Sequence, residues 1–148
     1  MNVQPAPRYV TYAVCGKRSQ VFKDKASDHV YCPVCQFPVD PDGPLPLDDY
    51  RISRFLEQVS GRTLILFWAP WDKESDEMYT LLAMESQKTD LKAIVASVNI
   101  AENPESRRQF GIEILPTVVM YAFGREVNRV VGPLTAFELA YLMKREYF

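Results

Sequence analysis

The rhythm of apolar positions changes several times along this chain, and each change predicts an element. Leu64-Ile65-Leu66-Phe67-Trp68 is a nearly unbroken apolar run, as expected of a strand buried on both faces. Residues 94–100 form a second such run. Ahead of the first run, Tyr50, Ile52, Phe55, Leu56 and Val59 recur at helical spacing. Asp48 or Asp49 can cap that helix, and Gly61 ends it. A second helix is predicted over 73–89, with Met78, Leu81, Leu82 and Met84 among its apolar positions. Asn103-Pro104-Glu105 supplies a cap, a first-turn proline and a first-turn acid for a short helix that closes by Gly111. Residues 117–123 and 126–131 predict a hairpin around Gly124-Arg125. Thr135 caps a last helix whose Phe137, Leu139, Ala140 and Leu142 can cover the sheet. The order is αβαβα, then ββα, with no internal repeat or low-complexity tract.

Upstream the pattern breaks. Between Gln36 and Asp48 stand Pro38, Pro41, Pro44 and Pro46 with Gly43, a run that cannot continue a helix or a central strand. A boundary is placed there, dividing a small module, 1–45, from a main domain, 46–148. The chain has 148 residues, 47% of them apolar, enough for one ordinary core and an accessory segment. Its 17 basic and 19 acidic residues give a net charge of −2 with no block of one sign. That balance argues against nucleic acid or a membrane surface as the main partner and leaves another protein. The N-terminus lacks the profile of a secretory signal, and no apolar run approaches the ~20 residues of a membrane helix. The expected compartment is the cytoplasm, where the three cysteines read as thiols or metal ligands rather than disulfides.

Four stretches resemble the thioredoxin family, with spacings that agree throughout. Phe67-Trp68-Ala69-Pro70-Trp71-Asp72-Lys73-Glu74-Ser75 resembles the active-site segment Trp-Ala-x-Trp-Cys-x-x-Cys. Val98-Asn99-Ile100 with Asn103-Pro104 resembles the third strand and its exit. Phe110-Gly111-Ile112-Glu113-Ile114-Leu115-Pro116-Thr117 resembles the Gly-Ile-x-x-Ile-Pro-Thr signature, and Val131-Gly132-Pro133-Leu134 the Val-Gly before the last helix. The resemblance implies an α/β thioredoxin fold, a central mixed sheet flanked by helices.

It also implies what has changed. Asp72 and Ser75 stand at the two cysteine positions, and a carboxylate and a hydroxyl cannot form a disulfide. In the family a buried Asp on the preceding strand and a Lys on the next assist proton transfer; the corresponding positions here are Leu66 and Ser97. Asp72 has a plain alternative role as a helix N-cap near Glu74 or Ser75. Pro116 resembles the family's cis-proline, beside which substrates pair with the backbone at Leu115's position. The expected protein-binding groove is Trp71, Ile114, Leu115, Pro116, Gly132 and Pro133.

In the N-terminal module, Tyr31-Cys32-Pro33-Val34-Cys35 has the form of a zinc knuckle. Val14-Cys15-Gly16-Lys17-Arg18 resembles a first knuckle whose second cysteine has become Arg18. A bacterial thioredoxin type carries such a ribbon, so the module resembles a degenerate zinc ribbon. Cys15, Cys32 and Cys35 offer three ligands; His29 completes a zinc site if it joins them, whereas Arg18 at the fourth vertex repels the metal. Without zinc the cysteines pack as small apolar side chains.

The expected function is a redox-inactive adaptor, co-chaperone or assembly factor that binds protein. The alternative is an atypical thiol-disulfide oxidoreductase working through the N-terminal cysteines. A third reading is a subunit in which the fold is only architectural.

Overall fold

The computed structural model describes residues 8–11, 18–21, 30–31, 38–39, 43–59, 61–86 and 94–144. Two short antiparallel pairs come first: β1 (Arg8–Thr11) with β2 (Arg18–Val21), and β3 (Val30–Tyr31) with β4 (Pro38–Val39). Cys15, Cys32, Cys35 and His29 lie outside the described residues.

The main sheet has five strands: β5 (Leu45–Leu47), β6 (Arg62–Trp68), β7 (Ile94–Asn99), β8 (Thr117–Ala122) and β9 (Arg125–Val131). Their spatial order is β5-β7-β6-β8-β9. The first three run parallel and the last two antiparallel. The helices among the described residues are α1 (Ile52–Gln58), α2 (Lys73–Ser86), α3 (Pro104–Gln109) and α4 (Ala136–Lys144).

The apolar run of β6 is explained by its central place. Ile65 and Phe67 join Ile52 and Phe55 of α1, Val59 just after it, Ala96, Val98, Val119 and Ile112 in one core layer. Leu64 and Leu66 point the other way, against Met78 and Leu82 of α2 and Leu139 and Met143 of α4. Alternation along a strand sends neighbours to opposite layers, so both must be apolar.

Four expectations are corrected. The proline-rich stretch contains a strand: Leu45 and Leu47 are buried while Pro46 between them is exposed, and among the described residues β5 pairs with β7 alone. Proline is tolerated there because one side of an edge strand needs no donor. Tyr50, expected on the apolar face of α1, is exposed in the turn before it. On α2, Met84 is exposed and Glu85 is buried. On α4, Phe137 faces solvent, and Leu139 with Met143 covers the sheet.

The hairpin turns through Phe123 (φ 52°) and Gly124 (φ 80°). A Cβ on Gly124 would lie 2.0 Å from the Leu56 carbonyl oxygen, so glycine lets α1 rest against the turn. Further along, Met120 pairs with Asn128 but Tyr121 with Glu126, which leaves Val127 as an extra residue in β9. That bulge brings Glu126 and Arg129 to one face, where Arg129 Nη2 meets Glu126 Oε1 at 2.8 Å and Nε meets Oε2 at 3.1 Å.

Candidate functional site: the turn after β6 and the apolar face beside it

Strand register gathers the candidate residues at one end of the sheet. Phe67 of β6 pairs with Thr117 of β8, and Thr117 pairs with Val131 of β9. The turn leaving β6 (Ala69, Pro70, Trp71), the loop entering β8 (Ile114, Leu115, Pro116) and the loop leaving β9 (Gly132, Pro133) are therefore neighbours. Leu115–Pro116 is a cis peptide, and Gly132 N–H donates to the Pro116 carbonyl at 2.8 Å. Gly132 adopts φ 96°, a conformation glycine reaches at no steric cost.

The two polar residues of the turn are engaged with backbone. Ser75 is fully buried; its Oγ accepts from Ala69 N–H at 3.0 Å and faces the Ala69 and Asp72 carbonyls at 2.9 and 3.2 Å. A hydroxyl has one proton, so the two carbonyls share it. Asp72 Oδ2 accepts from Ser75 N–H at 3.1 Å, an N-cap contact on α2. Behind the turn, Trp68 stacks on Tyr79 of α2 with ring centroids 4.3 Å apart. Leu66 and Ser97 are register partners on β6 and β7, and both are buried.

The apolar residues divide by exposure. Trp71 is 68% exposed and Ile114 58%, and Pro133 is also exposed. Pro116 is buried, Gly132 half-buried, and Leu115 half-buried against the core layer of α1. Leu115 thus offers a groove its backbone more than its side chain; among the described residues no hydrogen bond engages its N–H or C=O. Val131, 53% exposed and next to Gly132, belongs on this face as well. The Val-Gly-Pro stretch was legible in the sequence, but alternation along β9 does not show which valine faces out beyond a bulge.

A polar knot lies at the same carboxyl end of the parallel strands. Asp49 Oδ1 accepts from Ser106 N–H and Oγ–H, each at 2.6 Å, and so caps α3 from a position 57 residues earlier in the chain. Asn103, expected as that cap, instead takes Asp49 N–H on Oδ1 at 2.9 Å and donates Nδ2 to the Asn99 carbonyl at 2.9 Å. Partial desolvation raises the Asp49 pKa, but the Ser106 and Glu105 donors outweigh it and hold the carboxyl below its usual range.

The family model described as Thioredoxin matches residues 46–145, most of the chain and all five strands of the main sheet but the first residue of β5. The chain belongs to the thioredoxin family. Thioredoxin C-3 of Corynebacterium nephridii is 26% identical over 130 residues, covering 88% of this chain and 89% of that protein. Such an extent reaches into the first 45 residues. The thioredoxin of Alicyclobacillus acidocaldarius is 33% identical over 82 residues, 54% of this chain and 78% of that one. Among solved structures, a mutant thioredoxin from Halobacterium salinarum aligns with TM-score 0.57 and 25% identity over 72% of this chain and 92% of that chain. A chain from work on the thiol-resolving mechanism of yeast mitochondrial 1-Cys peroxiredoxin aligns with TM-score 0.58 at 19% identity, a likeness of fold. The thioredoxin fold is thus established here by sequence and by shape.

Proposed function

We propose that this thioredoxin-family protein is redox-inactive at the turn after β6 and binds another protein through the apolar face beside Pro116, as an adaptor, co-chaperone or assembly factor. The observation that carries this is the division of labour in the turn. Asp72 and Ser75, at positions where the family resemblance implies cysteines, spend their polar atoms on backbone groups of the turn itself. Trp71 and Ile114 beside them stay exposed. Leu66 and Ser97 put no ionisable group where the family resemblance implies a proton-transfer pair.

The N-terminal module forms the second part of the proposal. Two short antiparallel pairs, with Cys15 in the connection of the first and Cys32 and Cys35 in that of the second, support a ribbon-like module. Its donor set is one short of the four of a closed zinc site unless His29 supplies the fourth. With Arg18 at that vertex no zinc is held. Elemental analysis of the purified protein decides between the two, and Arg18→Cys restores tight zinc binding if the ribbon reading is right.

The test of the main reading pairs two measurements. Insulin reduction by the purified protein should equal the buffer control; turnover lost on Cys32→Ser would establish the N-terminal cysteines as the working pair instead. Affinity capture from the native cell should recover partners with wild type and lose them with Trp71→Ala. Truncating a buried aromatic anchor often costs ~2 kcal/mol, roughly a thirtyfold loss of affinity. Ile114→Arg is the companion variant, because Leu115 packs on the core and its replacement would confuse folding with binding. Partners recovered equally by both variants would move the binding surface elsewhere.

A further inference from the structure

The charges around the groove are not evenly divided. Asp72, Glu74, Asp76 and Glu77 surround the start of α2 with Lys73 as the one cation among them. Glu74, Asp76 and Glu77 are exposed, and Asp72 is half-buried. A helix N-terminus ordinarily presents about half a positive charge and attracts anions. Here the Asp72 carboxylate already occupies the Ser75 N–H, and four carboxylates against one ammonium outweigh the dipole several times over. The opposite wall differs. Glu113 precedes Ile114, but Arg107 Nε donates to the Ile112 carbonyl at 3.1 Å, and Arg129 Nη1 reaches the Gly111 carbonyl at 3.4 Å. Arg107 therefore stands close behind Glu113, Arg129 being already paired with Glu126, and among the described residues the larger net negative charge lies on the α2 side, next to Trp71.

Resting on the protein-binding reading above, we propose that the groove takes an extended, apolar protein segment bearing lysines or arginines over the first two turns of α2. Its apolar side chains meet Trp71, Ile114 and Pro133. Its backbone pairs with the N–H and C=O of Leu115, which carry no hydrogen bond among the described residues. Glu74 and Glu77, one helical turn apart, supply the charge that selects the basic end and turns acidic segments away. Among the described residues at this end of α2, an anionic segment would meet four carboxylates with only Lys73 to receive it.

Three labelled dodecapeptides test this by fluorescence anisotropy on the full chain. All share the same valine, isoleucine and proline positions, and the remaining positions are lysine, glutamate or serine. The lysine peptide should bind about tenfold tighter than the serine peptide at low salt, and the glutamate peptide more weakly than both. That advantage should shrink between about 0.05 M and about 0.5 M salt, as screened surface charges require. Glu74→Lys with Glu77→Lys should reverse the order, and Trp71→Ala should weaken the lysine and serine peptides alike. Equal binding of all three peptides, lost on Trp71→Ala, would overturn the charge selection and leave the groove reading standing. Lysine-peptide binding that Trp71→Ala leaves intact would overturn both.

Discussion

Ser75 shows how one hydroxyl can hold a turn. Its Oγ lies within hydrogen-bonding distance of three backbone groups of the segment that links β6 to α2. Ser75→Ala would strand the Ala69 N–H in a buried site, a loss of about 1–3 kcal/mol that urea titration can read as a lower midpoint at unchanged slope. Asp72→Ser should cost only a few tenths of a kcal/mol, because serine also caps a helix. Its binding should match wild type. Gly124 makes the reverse case, since what matters there is the absence of a side chain. Gly124→Ala must place a Cβ against the Leu56 carbonyl at a positive φ, so thermal unfolding should reveal a penalty of at least about 1 kcal/mol. An unchanged melting temperature would mean that α1 withdraws from the hairpin without cost.

Among the elements, α3 depends most on a distant residue. Its cap is Asp49, which precedes α1, and the pKa of that carboxyl is lowered in the fold. A lowered folded pKa gives stability that is fully present above the unfolded value, 3.8, and that fades as pH falls through the folded value. Asp49→Asn keeps an acceptor for the Ser106 N–H, so it should cost little at neutral pH and flatten the acid limb of the stability curve. Asp49→Ala should cost about 0.5–2 kcal/mol at neutral pH. This exchange also marks where the sequence stops being legible. Runs such as 64–68 reveal a buried strand because both neighbours of each residue must be apolar, and Thr135 with Glu138 forms the expected cap, with Glu138 N–H to Thr135 Oγ1 at 3.1 Å. Asn103 sits at the right place for a local cap, yet its side chain serves Asp49, a partner more than fifty residues away. Local pattern carries no information about such a swap. The same limit hid β5, whose pairing with β7 compensates for a proline, and the outward turn of Phe137, since helical period alone does not say whether Phe137 or Met143 meets the sheet. At the groove, motif spacing pointed to Trp71, Ile114 and Pro133; the half-burial of Leu115 needed the packing of α1.

For the whole molecule, the expectation is a thioredoxin scaffold without thiol turnover at its usual turn. Asp72→Cys with Ser75→Cys should create a pair that oxidises, detectable by thiol titration, while insulin reduction stays far below that of a working thioredoxin. Leu66 and Ser97 offer no group to move the proton, and a thiol is a poorer partner than Ser75 Oγ for the Ala69 backbone. Brisk turnover by this variant would show that two cysteines alone restore the chemistry. The extra residue at Val127 has a consequence for how copies of this molecule tolerate one another. A regular outer strand is a template along which an identical chain can zip and so begin a fibril. With Val127 inserted, the donors and acceptors along β9 fall out of step with any straight ribbon laid against them, and the Glu126–Arg129 clasp holds that mismatch in place. Deleting Val127 should restore the even spacing, and thioflavin T fluorescence on gentle heating should then rise in the variant well before it does in the parent. A deletion variant that stays dispersed would place the safeguard in the charges of the strand instead of its irregular length.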